Sequence, residues 1–284
     1  MAETVSDAPA RFGFGENWLK FSALLSDERI DAAERSLASM LHVDSLDGRS
    51  FLDIGCGSGL FSLAAAHLGA GRIQSFDYDG DSVACTGAVK DRFLPEKADW
   101  TIERGDITDP EYTKSLGTFD VVYSWGVLHH TGAMWEAMEN ACALVAPGGT
   151  LFLSIYNDQG RRSKAWRRVK KLYNDLPRPL RVPYTLLITI PRHIPTAARA
   201  TLAGEPGEYF RSWFTPKERG MSRWHDVIDW IGGYPFEVAK PEEIFHFCRD
   251  RGFSLRELET QGGGLGCNEF VFDRSPLAVS DAVR

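Results

Sequence analysis

The chain has 284 residues, 43% of them hydrophobic and 25% charged, with a formal net charge of −7; this suits one α/β domain carrying an insertion and argues against a chain that is basic throughout. The five cysteines (Cys56, Cys85, Cys142, Cys248, Cys267) are odd in number and form no CxxC pair, which suggests neither a disulfide framework nor a zinc site and fits a reducing cytoplasm. The amino terminus lacks a basic stretch followed by an apolar run, and no segment approaches the roughly 18 apolar residues of a membrane span, so an unexported, cytoplasmic protein is expected.

After a loose start, apolar residues at helical spacing (Leu19, Phe21, Leu24 and Leu25, then Ile30, Ala33, Leu37 and Leu41) predict an N-terminal helical segment over 1–47. From residue 51 the pattern changes to short apolar runs ending in glycine or aspartate, alternating with helical stretches, the βαβ signature of a parallel sheet. Strands are predicted near 50–55, 72–77, 100–105, 119–125 and 149–157, within a core spanning 48–157. The alternation then stops for about eighty residues. It resumes over 240–275 with a helix that has Pro241 in its first turn and two strands, "SLRELET" and "NEFVFDR", joined by the glycine-rich "QGGGLGC". Residues 276–284 read as a loose tail.

The intervening 158–239 reads as a helical insertion that forms an acceptor pocket or lid. "KAWRRVKKLYNDL" places Trp166, Val169, Leu172, Tyr173 and Leu176 on one face and the basic residues on the other. Thr215 and Glu218 offer a capping box with Pro216 at the first helical position, and a further helix covers "SRWHDVIDWIGG". Residues 158–200 hold eleven basic and two acidic residues, a net +9 that leaves −16 for the remainder. The default meaning of this stripe is a solvated helix face. An anionic acceptor, or peripheral contact with an acidic membrane surface, comes next, because "VPYTLLITIPRHIP" (182–195) is apolar but interrupted by prolines. Nucleic acid comes last, since the rest of the chain is acidic and holds no RNA-binding module.

The strongest local signal is "FLDIGCGSGLFSLA". A strand ends at Asp53, glycines follow at 55, 57 and 59, and a helix begins, an arrangement that lets backbone approach a ligand at a helix amino terminus. The spacing is G-x-G-x-G, and Asp53 stands where it would repel a pyrophosphate and attract a cation. Asp77, 24 residues on, lies close to the offset at which an acid grips ribose hydroxyls. A ligand with a ribose, no phosphates and a positive centre is implied; S-adenosylmethionine has all three.

With "LDIGCGSG", "SFDYD", "GDITD", "FDVVYSWGVLHH" and "LVAPGGTLFLSIYN" in this order, the sequence resembles the class I S-adenosylmethionine-dependent methyltransferases of small-molecule type, over roughly 48–157 and again over 240–274. The resemblance implies a three-layer Rossmann-like α/β fold with a seven-stranded sheet, its last strand antiparallel, and the helical insertion after strand 5. It further implies that Gly55, Cys56, Gly57 and Gly59 approach the methionine part, that Asp77 accepts from the ribose hydroxyls, that Asp106 meets the adenine amino group, and that Tyr78 and Ile107 flank the ring. Trp125, where many relatives carry a small polar residue, is counted among the cofactor contacts.

His129 and His130 fall just beyond the fourth strand. Adjacent residues in a forming helix diverge, so the pair is not expected to bind a metal. His129 is the candidate general base, and Tyr156, His225, Tyr234 and Asn268 are candidate acceptor contacts. The function expected is methyl transfer to oxygen, less readily nitrogen, of a small acceptor, an anionic one included. The alternatives are a tRNA or protein methyltransferase, and a non-catalytic protein that binds the cofactor and acts as an interaction surface.

Overall fold

Short apolar runs ending in polar residues become the strands of one sheet. In the computed structural model, which describes residues 25–213 and 223–276, these are β1 (Ser50–Ile54), β2 (Arg72–Asp77), β3 (Trp100–Arg104), β4 (Phe119–Trp125), β5 (Val145–Tyr156), β6 (Phe253–Glu259) and β7 (Cys267–Arg274). Their order is β3-β2-β1-β4-β5-β7-β6. β1 to β5 are parallel, and β7 runs antiparallel to both β5 and β6. The expected Rossmann-like sheet with an antiparallel last strand is therefore present. The chain winds outward from β1 to β3 and then returns to lay β4 on the other side of β1, so a crevice opens between β1 and β4 at their carboxyl ends.

Helices cover both faces. On one, Leu52, Ile54, Val122, Leu151 and Phe270 join residues of α5 (Met134–Ala143) and α10 (Pro241–Arg249) in the main apolar cluster. On the other, Tyr123 stacks with Phe51, Phe152 and, at 5.0 Å, Phe61 of α2 (Leu60–His67). Parallel strands buried on both faces need such nearly continuous apolar runs. α1 (Asp27–Leu41) packs on α2; Ile30, Ala33, Leu37 and Leu41 are its buried stripe, and left-handed His42 ends it. Leu19, Phe21 and Leu24 lie outside the described residues. α3 (Gly80–Phe93) and α4 (Pro110–Leu116) complete the helices between strands. β5 starts four residues earlier than the sequence suggests, because Val145 pairs with Phe119 ahead of an irregularity in the β4–β5 register.

Residues 160–237 form a compact unit distinct from the sheet-bearing one. Its helices are α6 (Arg161–Asp175), α7 (Arg178–Leu202), α8 (Pro206–Arg211) and α9 (Arg223–Gly232). Trp166 meets Trp230 edge-on at 5.3 Å, and Asn174 Nδ2 donates to the Gly232 carbonyl at 2.7 Å. One expectation fails here. The buried positions of α6 are Ser163, Lys170 and Tyr173, while Leu172 is 49% exposed, so the inward stripe takes in a lysine and leaves out a leucine. Lys170 Nζ donates to the Trp230 carbonyl and sits 4.2 Å from the Trp230 ring centroid and 4.8 Å from that of Phe236, partners that make its burial tolerable. The proline-containing 182–195 segment lies inside the 25-residue α7. Pro183, Pro191 and Pro195 are exposed, as are Pro179, Leu187 and Pro191 four positions before each, so the carbonyls deprived of a helical donor turn to water. Thr215, Pro216 and Glu218 lie outside the described residues.

Candidate functional site

β1 delivers its carboxyl end into a loop held by backbone. Gly55 and Cys56 N–H donate to the Phe76 carbonyl of β2 at 2.8 and 3.1 Å. Gly55 has φ 75°, and a Cβ there would lie 2.4 Å from Val127 Cγ2, so only glycine lets this loop meet the chain leaving β4. At Gly59, the left-handed residue before α2, a Cβ would come within 2.8 Å of Thr86 Cγ2 of α3. Thr86 also donates to Cys56 Sγ at 3.2 Å. Burial pushes the Cys56 thiol well up, which makes it packing rather than a nucleophile.

Two carboxylates stand behind and beside this loop. Asp77 accepts from Gly57 N–H at 3.1 Å through one oxygen and from Asp79 N–H at 2.9 Å through the other, and so is oriented before any ligand arrives. Burial pushes its pKa up to about 6, against the downward pull of those backbone donors. Asp53 is 3% exposed, and its Oδ2 takes a 2.5 Å hydrogen bond from Ser62, whose hydroxyl also lies 2.7 Å from Ser75 Oγ. Burial raises Asp53 to about 7, with a further rise from the negative charge of Asp77. Among the described residues neither carboxylate forms an ion pair. The edge of the sheet thus holds negative charge that the fold itself does not neutralise, an expense that a hydroxyl-bearing, positively charged ligand would relieve.

Beyond β3, Asp106 Oδ1 accepts from Thr108 N–H at 2.9 Å and from its hydroxyl at 2.7 Å, which sets the turn into α4. The Ile107 side chain belongs to the apolar cluster, and its carbonyl accepts from Asn140 at 2.7 Å. Tyr78 is 43% exposed at the end of β2, with the Arg104 guanidinium 5.6 Å from its ring.

Beyond β4 the row Trp125, Ser154 and Glu269 crosses three strands in register. Trp125 Nε1 donates to Glu269 Oε1 at 2.7 Å. This bond ties the indole to β7 across β5. His129 lies in a 3₁₀ turn (Leu128–His130), is fully buried, and accepts from Tyr156 N–H through Nδ1 at 3.3 Å. The Tyr156 ring is 4.0 Å from that of His129 and 5.5 Å from that of His130.

Asn268 is buried, and its Oδ1 accepts from Gln261 N–H at 3.0 Å. Asn157 Nδ2 donates to the carbonyls of Gly262 and Gly264. Together they pin the glycine-rich turn to the sheet. The candidates from Asp53 to Tyr156, with Asn268, therefore share one edge of the sheet-bearing unit. Tyr234 is half-buried in the other unit, and the side chain of His225 lies outside the described residues.

Sequence reasoning missed Ser62, Glu269 and Asn157. Ser62 was findable as a lone hydroxyl inside the apolar face of "GLFSLAAAH". Glu269 was not, because in the alternation "NEFVFD" it reads as an ordinary outward position.

A family model described as a methyltransferase domain matches residues 25–195, more than half of the chain. The chain belongs to the class I S-adenosylmethionine-dependent methyltransferases. Among curated relatives of this methyltransferase, a tRNA U34 carboxymethyltransferase of Idiomarina loihiensis is 32% identical over 121 residues, 42% of this chain and 36% of that protein. A ubiquinone biosynthesis O-methyltransferase of Rhizobium etli is 29% identical over 112 residues, 39% of this chain and 43% of its own length. The match thus spans less than half of either relative. In fold, the magnesium protoporphyrin IX methyltransferase of Synechocystis PCC 6803 with bound SAH aligns with a TM-score of 0.50 at 16% identity, covering 87% of this chain and 84% of that one. The putative methyltransferase solved with the Haloferax volcanii Trm112 activator aligns at 0.51 and 14% identity, over 92% and 95%.

The family's cofactor is S-adenosylmethionine, and the residues present fit it. Asp77 offers both oxygens to hydroxyl donors, the 55–59 loop brings backbone close without a side chain in the way, and the uncompensated charge of Asp53 and Asp77 suits a sulfonium.

Proposed function

We propose that this methyltransferase transfers the methyl group to an oxygen of a small acceptor, anionic acceptors included. What carries the reading is the wall of rings at the carboxyl ends of β4 and β5, where Tyr156 lies against His129 at 4.0 Å and His130 at 5.5 Å, next to the Trp125–Glu269 pair. Flat rings and a few fixed polar groups suit a small planar molecule. The Rhizobium etli relative, named as an O-methyltransferase, agrees with oxygen as the acceptor atom.

When bound, the cofactor supplies an activated methyl carbon. The protein's own residues then have three tasks. Asp77 and the 55–59 loop hold the donor, with Asp106, Ile107 and Tyr78 assigned to the adenine. The ring wall holds the acceptor oxygen in line behind the methyl carbon, since a positioned pair reacts far faster than a free one. The third task is the acceptor's proton. With Nδ1 accepting from the Tyr156 amide, His129 in this reading fixes the Tyr156 edge that orients the acceptor oxygen rather than deprotonating it. An acceptor oxygen that is already acidic needs no base, which agrees with an anionic substrate. Tyr234 and His225 remain acceptor contacts proposed from sequence.

Tritiated donor incubated with the protein and a metabolite extract, an RNA pool and a protein pool tests the reading. Label in the small-molecule fraction is the expected outcome. Label in RNA instead would favour the tRNA reading suggested by the Idiomarina relative, and label in none would leave a non-catalytic binding protein.

A further inference from the structure

α7 is built inside out. Its buried residues are Thr185 and Thr189, while Leu180, Leu187, Ile190, Ile194 and Leu202 are 51 to 88% exposed. At about 100° per residue the exposed five fall on one face of the helix, spaced 7, 3, 4 and 8 residues apart, and Leu186 (39% exposed) widens the stripe. A surface helix of a globular protein carries the opposite pattern. So long an apolar line facing water marks a surface made to be covered.

The occupant must accept positive charge as well as apolar side chains. α7 contains four arginines and no acidic residue, and Arg161, Arg162, Lys164, Arg167, Arg168 and Lys171 of α6 are exposed. A second copy would bring one +9 segment against another. At about 1.5 Å per residue α7 is about 37 Å long, and no described helix is long and apolar enough to cross a bilayer. Lying in the plane of the headgroups is what remains for such a helix.

We propose that α7 docks the protein on an anionic lipid bilayer, its Leu180-to-Leu202 line seated at the acyl boundary and the α6 and α7 basic side chains reaching the headgroups. The interior prolines agree with this, since their exposed rings add to the apolar line. This surface serves localisation and stands whether or not the acceptor assignment above holds.

The test is co-sedimentation of the full chain with vesicles of phosphatidylcholine alone and with about 30% phosphatidylglycerol, at about 0.05 M and about 0.5 M salt. Wild type is compared with the triple variant Leu187→Ser, Ile190→Ser, Ile194→Ser and with the reversal Arg161→Glu, Arg162→Glu, Arg167→Glu, Arg168→Glu. Lys170 is left intact because it is buried. The expected result is binding to the anionic vesicles only, weakened at high salt, with partitioning at least tenfold lower in each variant and an unchanged circular dichroism spectrum. No binding by wild type, equal binding to neutral vesicles, or undiminished binding by both variants overturns the proposal. A wild-type dimer that the triple variant converts to monomer, without vesicle binding, assigns the face to a second copy instead.

Discussion

The sheet-bearing unit and the 160–237 unit each bury charge, but of opposite sign and to opposite purpose. In the first, Asp53 and Asp77 lie at a ligand-binding edge with no cation among the described residues to balance them. In the second, Lys170 is enclosed with its own compensation, the Trp230 carbonyl, two aromatic faces and the nearby charge of Asp229. An uncompensated buried charge is a request for a ligand. Lys170 is held by partners inside its own unit and is part of the scaffold, although burial still lowers its pKa to about 7. The contrast yields experiments in which one unit should lose binding and the other stability.

The largest effect is expected at Asp77. Two hydrogen bonds from ribose hydroxyls to a carboxylate are worth about 1.5–3 kcal/mol each, so Asp77→Ala should weaken S-adenosylmethionine binding on the order of 10²-fold or more. Titration calorimetry measures this, and undiminished affinity would remove Asp77 from the site. Because the apo pKa is raised to about 6, the carboxylate is ionised above that pH and protonated below it. Affinity should therefore be full at neutral pH and fall by up to about tenfold per pH unit as pH drops through 6. Asp77→Asn keeps an acceptor for only one of the Gly57 and Asp79 N–H groups and turns its NH2 towards the other, so it should bind weakly and without that pH dependence.

Lys170 should move stability instead. Burial lowers its pKa from 10.5 to about 7, so between those values the unfolded chain binds a proton that the folded one does not. Stability of the insertion then rises with pH from about 7 towards 10.5, at about 1 kcal/mol per pH unit, and the penalty is complete below 7. Tryptophan-detected unfolding of the full chain across this range reads the slope through Trp166 and Trp230. Lys170→Met should raise the midpoint at pH 7 and flatten the slope while leaving cofactor affinity unchanged. An unaltered slope would show that the amine is solvated.

The two units also differ in how far their sequences can be read. In the core, strand alternation, the turn-forming glycines and Asp77 each carry a local signal, because a parallel sheet repeats one pattern and its binding edge falls at fixed places in it. Gly55 and Gly59 were legible as a ligand loop, yet their closest demands come from Val127 and Thr86, residues distant in sequence. In the insertion, periodicity put Leu172 inside and Lys170 outside. The error is physical: the choice between them depends on rings from α9 and from Phe236 that close around the amine, and no window within α6 contains that information.

The smallest effects belong to the acceptor edge, where the core is compensated like the insertion: Glu269 there is already paired with Trp125. Trp125→Phe keeps an aromatic ring at this position but gives up the N–H donor to Glu269. A rim contact of this kind contributes about 1 kcal/mol, so KM for the acceptor should rise a few-fold with kcat and cofactor affinity unchanged. His129→Ala should cost more, about tenfold in kcat, through a misplaced acceptor oxygen. The shape of the pH profile separates orientation from base catalysis. If His129 orients, the variant is slower by the same factor at every pH from about 6 to about 9; if it is the base, the wild-type rate has an acid limb that the variant loses. A Trp125→Phe effect on cofactor affinity, with KM unmoved, would instead support the cofactor contact that the sequence assigns to Trp125.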